Sequence, residues 1–106
     1  MKDFMKMMKQ AQELQTRMTE VQQELDNLVV EGRSGAGLVT VKLSGKGDLR
    51  GLTLDPSLLK PDEKEILEDL IVAAFQDARG KAEEAMKSKM QSIAGDLPLP
   101  PGLKLF

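Results

Sequence analysis

The sequence predicts an α+β fold in which a long helix is followed by a three-stranded antiparallel meander and a second long helix. Three observations predict it. Near the start of the chain, apolar residues recur at alternating spacings of three and four, the pattern of an amphipathic helix. Most of the glycines, and an alternation of apolar and polar residues, lie between residues 28 and 55, as in short strands joined by turns. A second helical stripe of apolar residues then begins at residue 67.

The first helix is predicted over residues 1–27. Its apolar stripe has the spacing of a coiled-coil seam and consists of Phe4, Met7, Ala11, Leu14, Met18, Val21, Leu25 and Leu28. Glutamine, glutamate and other good helix formers separate these positions, and neither Gly nor Pro occurs before Gly32. We therefore expect a helix of roughly 25 residues, or about 38 Å in length.

The sheet is predicted over residues 28–55, with strands at 28–33, 38–44 and 49–54. In the second strand, Val39, Val41 and Leu43 alternate with polar residues, which predicts one packed face and one solvent face. The polar positions expected on the solvent face are Thr40, Lys42 and Ser44. Turns are predicted at residues 35–37 and 45–48, where glycines cluster.

The second long helix is predicted over residues 62–94. Asp55 and Pro56 end the sheet by capping a single helical turn. The helix itself starts near Pro61, with Asp62 and Glu65 in capping-box spacing.

The apolar stripe of this second helix narrows from large residues to alanines, so we expect a partner helix to approach it closely. The stripe consists of Leu67, Leu70, Ile71, Ala74, Ala78, Ala82, Ala85 and Met86. Gly95 is the expected end of the helix, and residues 95–106 are expected to form an extended, proline-containing tail.

Composition excludes several classes of function. A chain of 106 residues is one domain at most, and the absence of Cys and His removes thiol, imidazole, disulfide and zinc chemistry. No catalytic or cofactor motif is found, so we expect neither an enzyme nor a bound cofactor. The carboxylates of Asp62, Glu65 and Asp69 share a helical face, but capping explains them more simply than a metal site. No apolar run approaches the length of a membrane span, which predicts a cytoplasmic protein with no membrane partner.

Charge is distributed unevenly along a chain whose net charge is only −2. Residues 1–17 and residues 78–91 each carry four cations against two acids, whereas residues 62–77 carry six acids against one lysine. If the two helices pair antiparallel, their free ends form one positive tip, which also gathers six of the seven methionines. The cations of this predicted tip are Lys2, Lys6, Lys9, Arg17, Arg79, Lys81, Lys87 and Lys89.

Four segments, in order and at compatible spacing, carry a resemblance to a known family. They are residues 35–41 (GAGLVTV), 55–59 (DPSLL), 67–78 (LEDLIVAAFQDA) and 99–102 (LPPG). Together they resemble the YbaB/EbfC family of bacterial nucleoid-associated proteins. The resemblance implies a tweezer-like homodimer with projecting helical arms that binds double-stranded DNA on the nucleoid, in the cytoplasm.

Two functional hypotheses follow for the tip. In the first, Lys6, Lys9, Lys87 and Lys89 neutralise phosphates of double-stranded DNA, and Lys2, Arg17, Arg79 and Lys81 widen the positive field. In the alternative, the chain is a protein-interaction module that docks a partner through the Met-rich tip or the proline-containing tail. The dependence of binding on salt separates the two, because only phosphate contacts release many counterions.

Overall fold

The computed structural model describes residues 2–96, and these adopt the predicted order of elements. The elements are helix α1 (Lys2–Asn27), strands β1 (Val29–Ser34), β2 (Val39–Ser44) and β3 (Leu49–Leu54), and helix α2 (Lys64–Asp96). The predicted extended tail from residue 97 onward lies outside the described residues. The molecule measures 72 × 24 × 16 Å, an elongation that comes from the two long helices.

The three strands form an antiparallel sheet in the order β1-β2-β3, with β2 at the centre. Val39, Val41 and Leu43 of β2 are buried against α2, which confirms the predicted packed face. The prediction that Ser44 faces solvent is wrong, because this residue is fully buried. The pairing of β2 with β3 is irregular after Lys42, and the Ser44 hydroxyl accepts hydrogen bonds from the backbone N–H groups of Lys46 and Asp48.

Helix α2 packs across β1 and β2 through its alanines. Ala74 and Ala78 are fully buried, and Gly32 of β1 lies directly against them. A Cβ atom at residue 32 would overlap the Ala74 carbonyl oxygen and the Ala78 nitrogen. The small residues of α2 therefore admit a strand, not the partner helix that the sequence predicted at this position.

The carboxyl end of α1 is fixed to the turn between β2 and β3. The backbone N–H of Gly45 donates to the carbonyl oxygens of Leu25 (2.8 Å) and Leu28 (3.1 Å), which satisfies carbonyls that a helix end leaves unpaired. The Arg50 guanidinium also contacts the Asp26 carboxylate at 2.8 Å. Helix α1 is thus anchored at its last turn and is free to project from the sheet.

The ends of α2 differ in detail from the prediction. The Asp55 carboxylate accepts a hydrogen bond from the Ser57 N–H at 2.9 Å, which confirms the predicted cap of a single 3₁₀ turn. The capping box at Asp62 is not formed, because residues 61–63 make a second 3₁₀ turn that begins after Lys60. At the other end the helix continues through Gly95 to Asp96.

Candidate nucleic-acid interface

The amino-terminal half of α1 extends beyond the end of α2. The two helices run antiparallel, since the Lys89 ammonium lies 2.8 Å from the Glu24 carboxylate and Ile93 is buried together with Val21. This register places the last residue of α2 near the level of Met18. Residues 2–17 of α1 then extend about 24 Å beyond the described end of α2, and we call this segment the arm. At its base, Leu14 packs against the cluster of Val21, Leu25 and Ile93.

The prediction that the free ends of the two helices form one common tip is therefore wrong. Lys89 pairs with Glu24, which is fifteen residues, or about 22 Å of helix, from Lys9. The reason lies in α2, whose first half packs on the sheet at Ala74 and Ala78, so that only its second half is available to α1. The sequence showed both apolar stripes but not how α2 is divided between two partners.

Three of the predicted cations form a stripe on the arm. Lys2, Lys6 and Lys9 fall within about 60° of one another around α1 and lie roughly opposite the apolar stripe. All three are exposed, and none forms an ion pair with another residue of the segment 2–96. They present three ammonium groups along about 10 Å of helix, with all of their donors available to an anionic ligand.

The other predicted cations lie elsewhere, and most already have partners. Arg79 contacts Glu83 at 3.2 Å, and Lys89 contacts Glu24 at 2.8 Å. Arg17 lines a cleft of about 200 Å³ between the two helices. Lys87 is exposed on α2, and no described residue forms an ion pair with it.

Lys81 has a structural role at the edge of the sheet. Its ammonium donates to the Glu31 carbonyl oxygen at 2.7 Å and lies 3.5 Å from the Asp77 carboxylate. The same carboxylate accepts the backbone N–H of Arg33 at 3.1 Å. That hydrogen bond, with a smaller contribution from the Lys81 charge, holds the pKa of Asp77 below its ordinary value. Two side chains of α2 thus occupy two outer backbone groups of β1, the Glu31 carbonyl and the Arg33 N–H, and obstruct the pairing of another strand at this edge.

The opposite edge of the sheet is open. Among the residues that the structure describes, strand β3 has a neighbour on one side only. Its Leu49 and Leu52 pair with Leu43 and Val41, so their side chains point to the face that carries α2. Helix α2 does not reach over them, and they are 62% and 46% exposed. An open strand edge with uncovered leucines is a surface suited to a second sheet.

Two exposed lysines that have no ion pair with a described residue were not among the predicted site residues. Lys46 lies in the turn between β2 and β3, and Lys60 precedes the second 3₁₀ turn; neither forms an ion pair with a described residue. The Gly-Lys-Gly context of Lys46 was a signal for an exposed turn tip. Lys46 also lines a cleft of about 350 Å³ beside α2, together with Gly45, Gly47, Phe75, Arg79, Ala82, Glu83 and Met86.

Two further classes of site are absent from residues 2–96. Within this range, no group of three or more acidic side chains is placed to hold a metal ion, and the carboxylates of Asp62, Glu65 and Asp69 are not gathered into one. Neither helix in the same range is long and apolar enough to cross a bilayer.

This geometry defines a class, namely a small helix–meander–helix protein with a projecting cationic arm. The family model described as the YbaB/EbfC DNA-binding family matches residues 1–97. The chain therefore belongs to the YbaB/EbfC DNA-binding family, as its sequence motifs indicated.

Relatives of similar length support this assignment. The chain is 60% identical to a nucleoid-associated protein of Bradyrhizobium sp. over 102 residues, covering 96% of each protein. It is 57% identical to a nucleoid-associated protein of Nitrobacter winogradskyi over 103 residues, covering 97% of each. Among solved structures it is similar to an uncharacterized protein from Helicobacter pylori, with a TM-score of 0.73 at 25% identity over 80% of this chain and 89% of that one.

Proposed function

We propose that this protein binds double-stranded DNA through backbone phosphates, with modest sequence preference, and acts in the cytoplasm on the nucleoid. The observation that carries the proposal is the stripe of Lys2, Lys6 and Lys9 on a helix that projects from the body. A lysine that has no ion pair can bind phosphate without first breaking a contact with a carboxylate. Contacts to phosphates fix position but carry no sequence information, so preference among sequences should be weak.

The eight predicted cations then divide by role. Lys2, Lys6 and Lys9 make the phosphate contacts, with Lys87 as a separate contact farther along the body. Arg17, Arg79, Lys81 and Lys89 contribute to the long-range positive field. The short contacts of Arg79, Lys81 and Lys89 are to acids and, for Lys81, to a backbone carbonyl as well, and a neutralised pair attracts DNA weakly.

Two copies of the chain would present two arms. The closed edge at β1 and the open edge at β3 support a homodimer that forms across β3, with Leu49 and Leu52 buried between the copies. A twofold axis there makes the contact self-complementary. The arms, which are anchored only at their carboxyl ends, then project from a central sheet as tweezers.

Fluorescence anisotropy of a labelled duplex of about 30 base pairs tests the proposal. Contact with four to six phosphates gives a slope of log K against log salt of roughly −4 to −5. Saturable binding with such a slope, and similar affinities for unrelated sequences, is the expected result. Absence of binding at low salt would overturn the proposal.

The alternative function, docking of a protein partner, is favoured by one observation. Phe4, Met7 and Met8 are at least half exposed along the arm, and methionine adapts to varied partners. A contact of this kind should depend little on salt, so the same titration separates the two functions.

A further inference from the structure

The apolar seam of α1 is covered over only part of its length. Val21 and Leu25 are buried against the second half of α2, and Leu14 is partly buried at the edge of the same contact. Toward the amino terminus the seam continues, but Phe4 and Met7 are 66% and 67% exposed. The exposed seam of residues 4–14 is therefore the direct continuation of a surface that already packs against a helix.

We propose that this exposed seam packs antiparallel against the same seam of a second copy of the chain, so that two arms form a short coiled coil. Its alternating spacing of three and four is the repeat by which paired helices interdigitate. A helix of this length is only marginally stable alone in water, and its apolar face favours a partner helix. Three features of the arm favour the antiparallel direction.

The side chains along the seam match in size when the two arms run antiparallel. In this direction each a position of the heptad packs against a d position of the other helix. Phe4 and Ala11 hold the a positions of the arm, and Met7 and Leu14 hold the d positions. With Phe4 level with Leu14 of the second copy, the small Ala11 packs against the long, flexible Met7. A parallel pair would place Ala11 against Ala11 and leave a gap in the contact.

The residues that flank the seam are complementary in the same register. Asp3 comes level with Arg17 of the second copy, and the twofold axis repeats this contact between opposite charges. Gln10 faces Gln10 of the second copy near the axis, where two amides can exchange hydrogen bonds. In a parallel pair Asp3 would lie beside Met8 and gain no opposite charge.

The end of α2 leaves the seam free where the second arm would begin. Lys89 is level with Glu24, so α2 ends at Asp96 near the level of Met18. Residue 2 of the second copy comes level with residue 16 and continues along the seam in the direction of α2. The positive amino end of the second arm therefore meets the negative carboxyl end of α2, and the two attract.

The pairing leaves the lysine stripe of the arm exposed. Lys2, Lys6 and Lys9 lie at f and c positions of the heptad, on the side of α1 opposite the seam. The positive charges of two paired arms thus face away from one another, which weakens their repulsion. Arms that project together from one central sheet point the same way, so an antiparallel partner comes from another dimer and the pairing joins dimers into longer assemblies.

Cross-linking through one introduced cysteine tests the contact, because the chain has no cysteine of its own. Gln10→Cys places two thiols beside the twofold axis of the antiparallel pair, within reach of a short bis-maleimide. The matched control is Gln12→Cys, which replaces the same type of residue at an exposed position on the outer side of α1. Without DNA, we expect the two-chain product to form roughly ten times faster from Gln10→Cys. Equal rates would overturn the proposal.

Hydrogen exchange of the arm gives an independent readout. The amides of residues 4–14 should exchange roughly ten times more slowly in millimolar than in micromolar protein, because pairing stabilises the arm helix. Phe4→Ser/Met7→Ser should lose this dependence on concentration. Met5→Ser should keep it, since Met5 lies on the outer side of the same turn and is 69% exposed. Exchange in the parent chain that does not depend on concentration would contradict the pairing.

Discussion

At the scale of single residues, the fold depends on a close approach between a strand and a helix. Gly32 lies against Ala74 and Ala78 because none of the three has a side chain beyond Cβ. The sequence showed the alanine stripe and the glycine separately. Periodicity identifies which face of α2 is apolar, but it does not say whether a helix or a strand will cover that face.

Replacing Gly32 with alanine should destabilise the protein by about 1–3 kcal/mol or more, because the added Cβ overlaps backbone atoms of α2. The control is Gly80→Ala on α2, where an added Cβ meets no described atom within 4 Å outside its own stretch of helix. That variant should gain up to about 1 kcal/mol from helix propensity. Urea unfolding measures both, and equal stabilities for the two variants would contradict the packing described.

The hydrogen bond from the Arg33 N–H to Asp77 should make part of the stability pH-dependent. The pKa of Asp77 is lowered in the folded state from its ordinary value of 3.8. Its contribution is therefore complete above that value and is lost as pH falls through the lower, folded pKa.

Asp77→Asn should consequently be less stable than the parent chain at neutral pH, and the difference should shrink below about pH 4. Unfolding in urea across this range measures the effect. Asp69→Asn is the control, since Asp69 lies exposed on the same helix. A difference for Asp77→Asn that stays constant down to pH 2 would argue against the bond.

At the scale of elements, α1 consists of a packed half and a projecting half. The coiled-coil spacing predicted the carboxyl end of this helix to within one residue of its observed end at Asn27. It did not predict where packing stops, because the same stripe of apolar residues continues through both halves. The deciding contacts, Gly45 on Leu25 and Arg50 on Asp26, join positions distant in sequence.

Truncation of a side chain should lower the free energy of unfolding much more in the packed half of α1 than in the projecting half. Leu25 is only 2% exposed, so Leu25→Ala should cost about 2–5 kcal/mol. Met5 is 69% exposed, so Met5→Ala should change stability by less than about 0.5 kcal/mol. Thermal unfolding of the two variants provides the comparison, and similar losses would show that the whole helix is packed.

At the scale of the whole molecule, the two edges of the sheet differ. Asp77 and Lys81 occupy two outer backbone groups of β1, whereas β3 is open within residues 2–96 and carries the exposed Leu49 and Leu52. The sequence predicted three strands with exposed edges but not which edge α2 closes. That choice depends on the lateral position of α2, which follows from the Gly32 contact.

Leu52→Glu should therefore dissociate the proposed homodimer, because it places a charge in the contact that would form across β3. Thr53→Glu is the matched control, since Thr53 points to the opposite face of the same strand. Light scattering at micromolar concentration gives the masses. A parent chain that is monomeric, or a Leu52→Glu variant that remains dimeric, would contradict the proposed interface.

Charge reversal distinguishes binding of DNA by the arm lysines from binding by positive charge spread over the whole surface. The measurement compares the duplex affinity of Lys6→Glu/Lys9→Glu with that of Lys60→Glu/Lys64→Glu, two variants with the same change in net charge. We expect the arm variant to lose at least about tenfold in affinity and to show a salt slope shallower by roughly two. The control should stay close to the parent chain. Equal losses of affinity in both variants would contradict this role of the arm. They would show that its lysines contribute only to the general positive field of the protein.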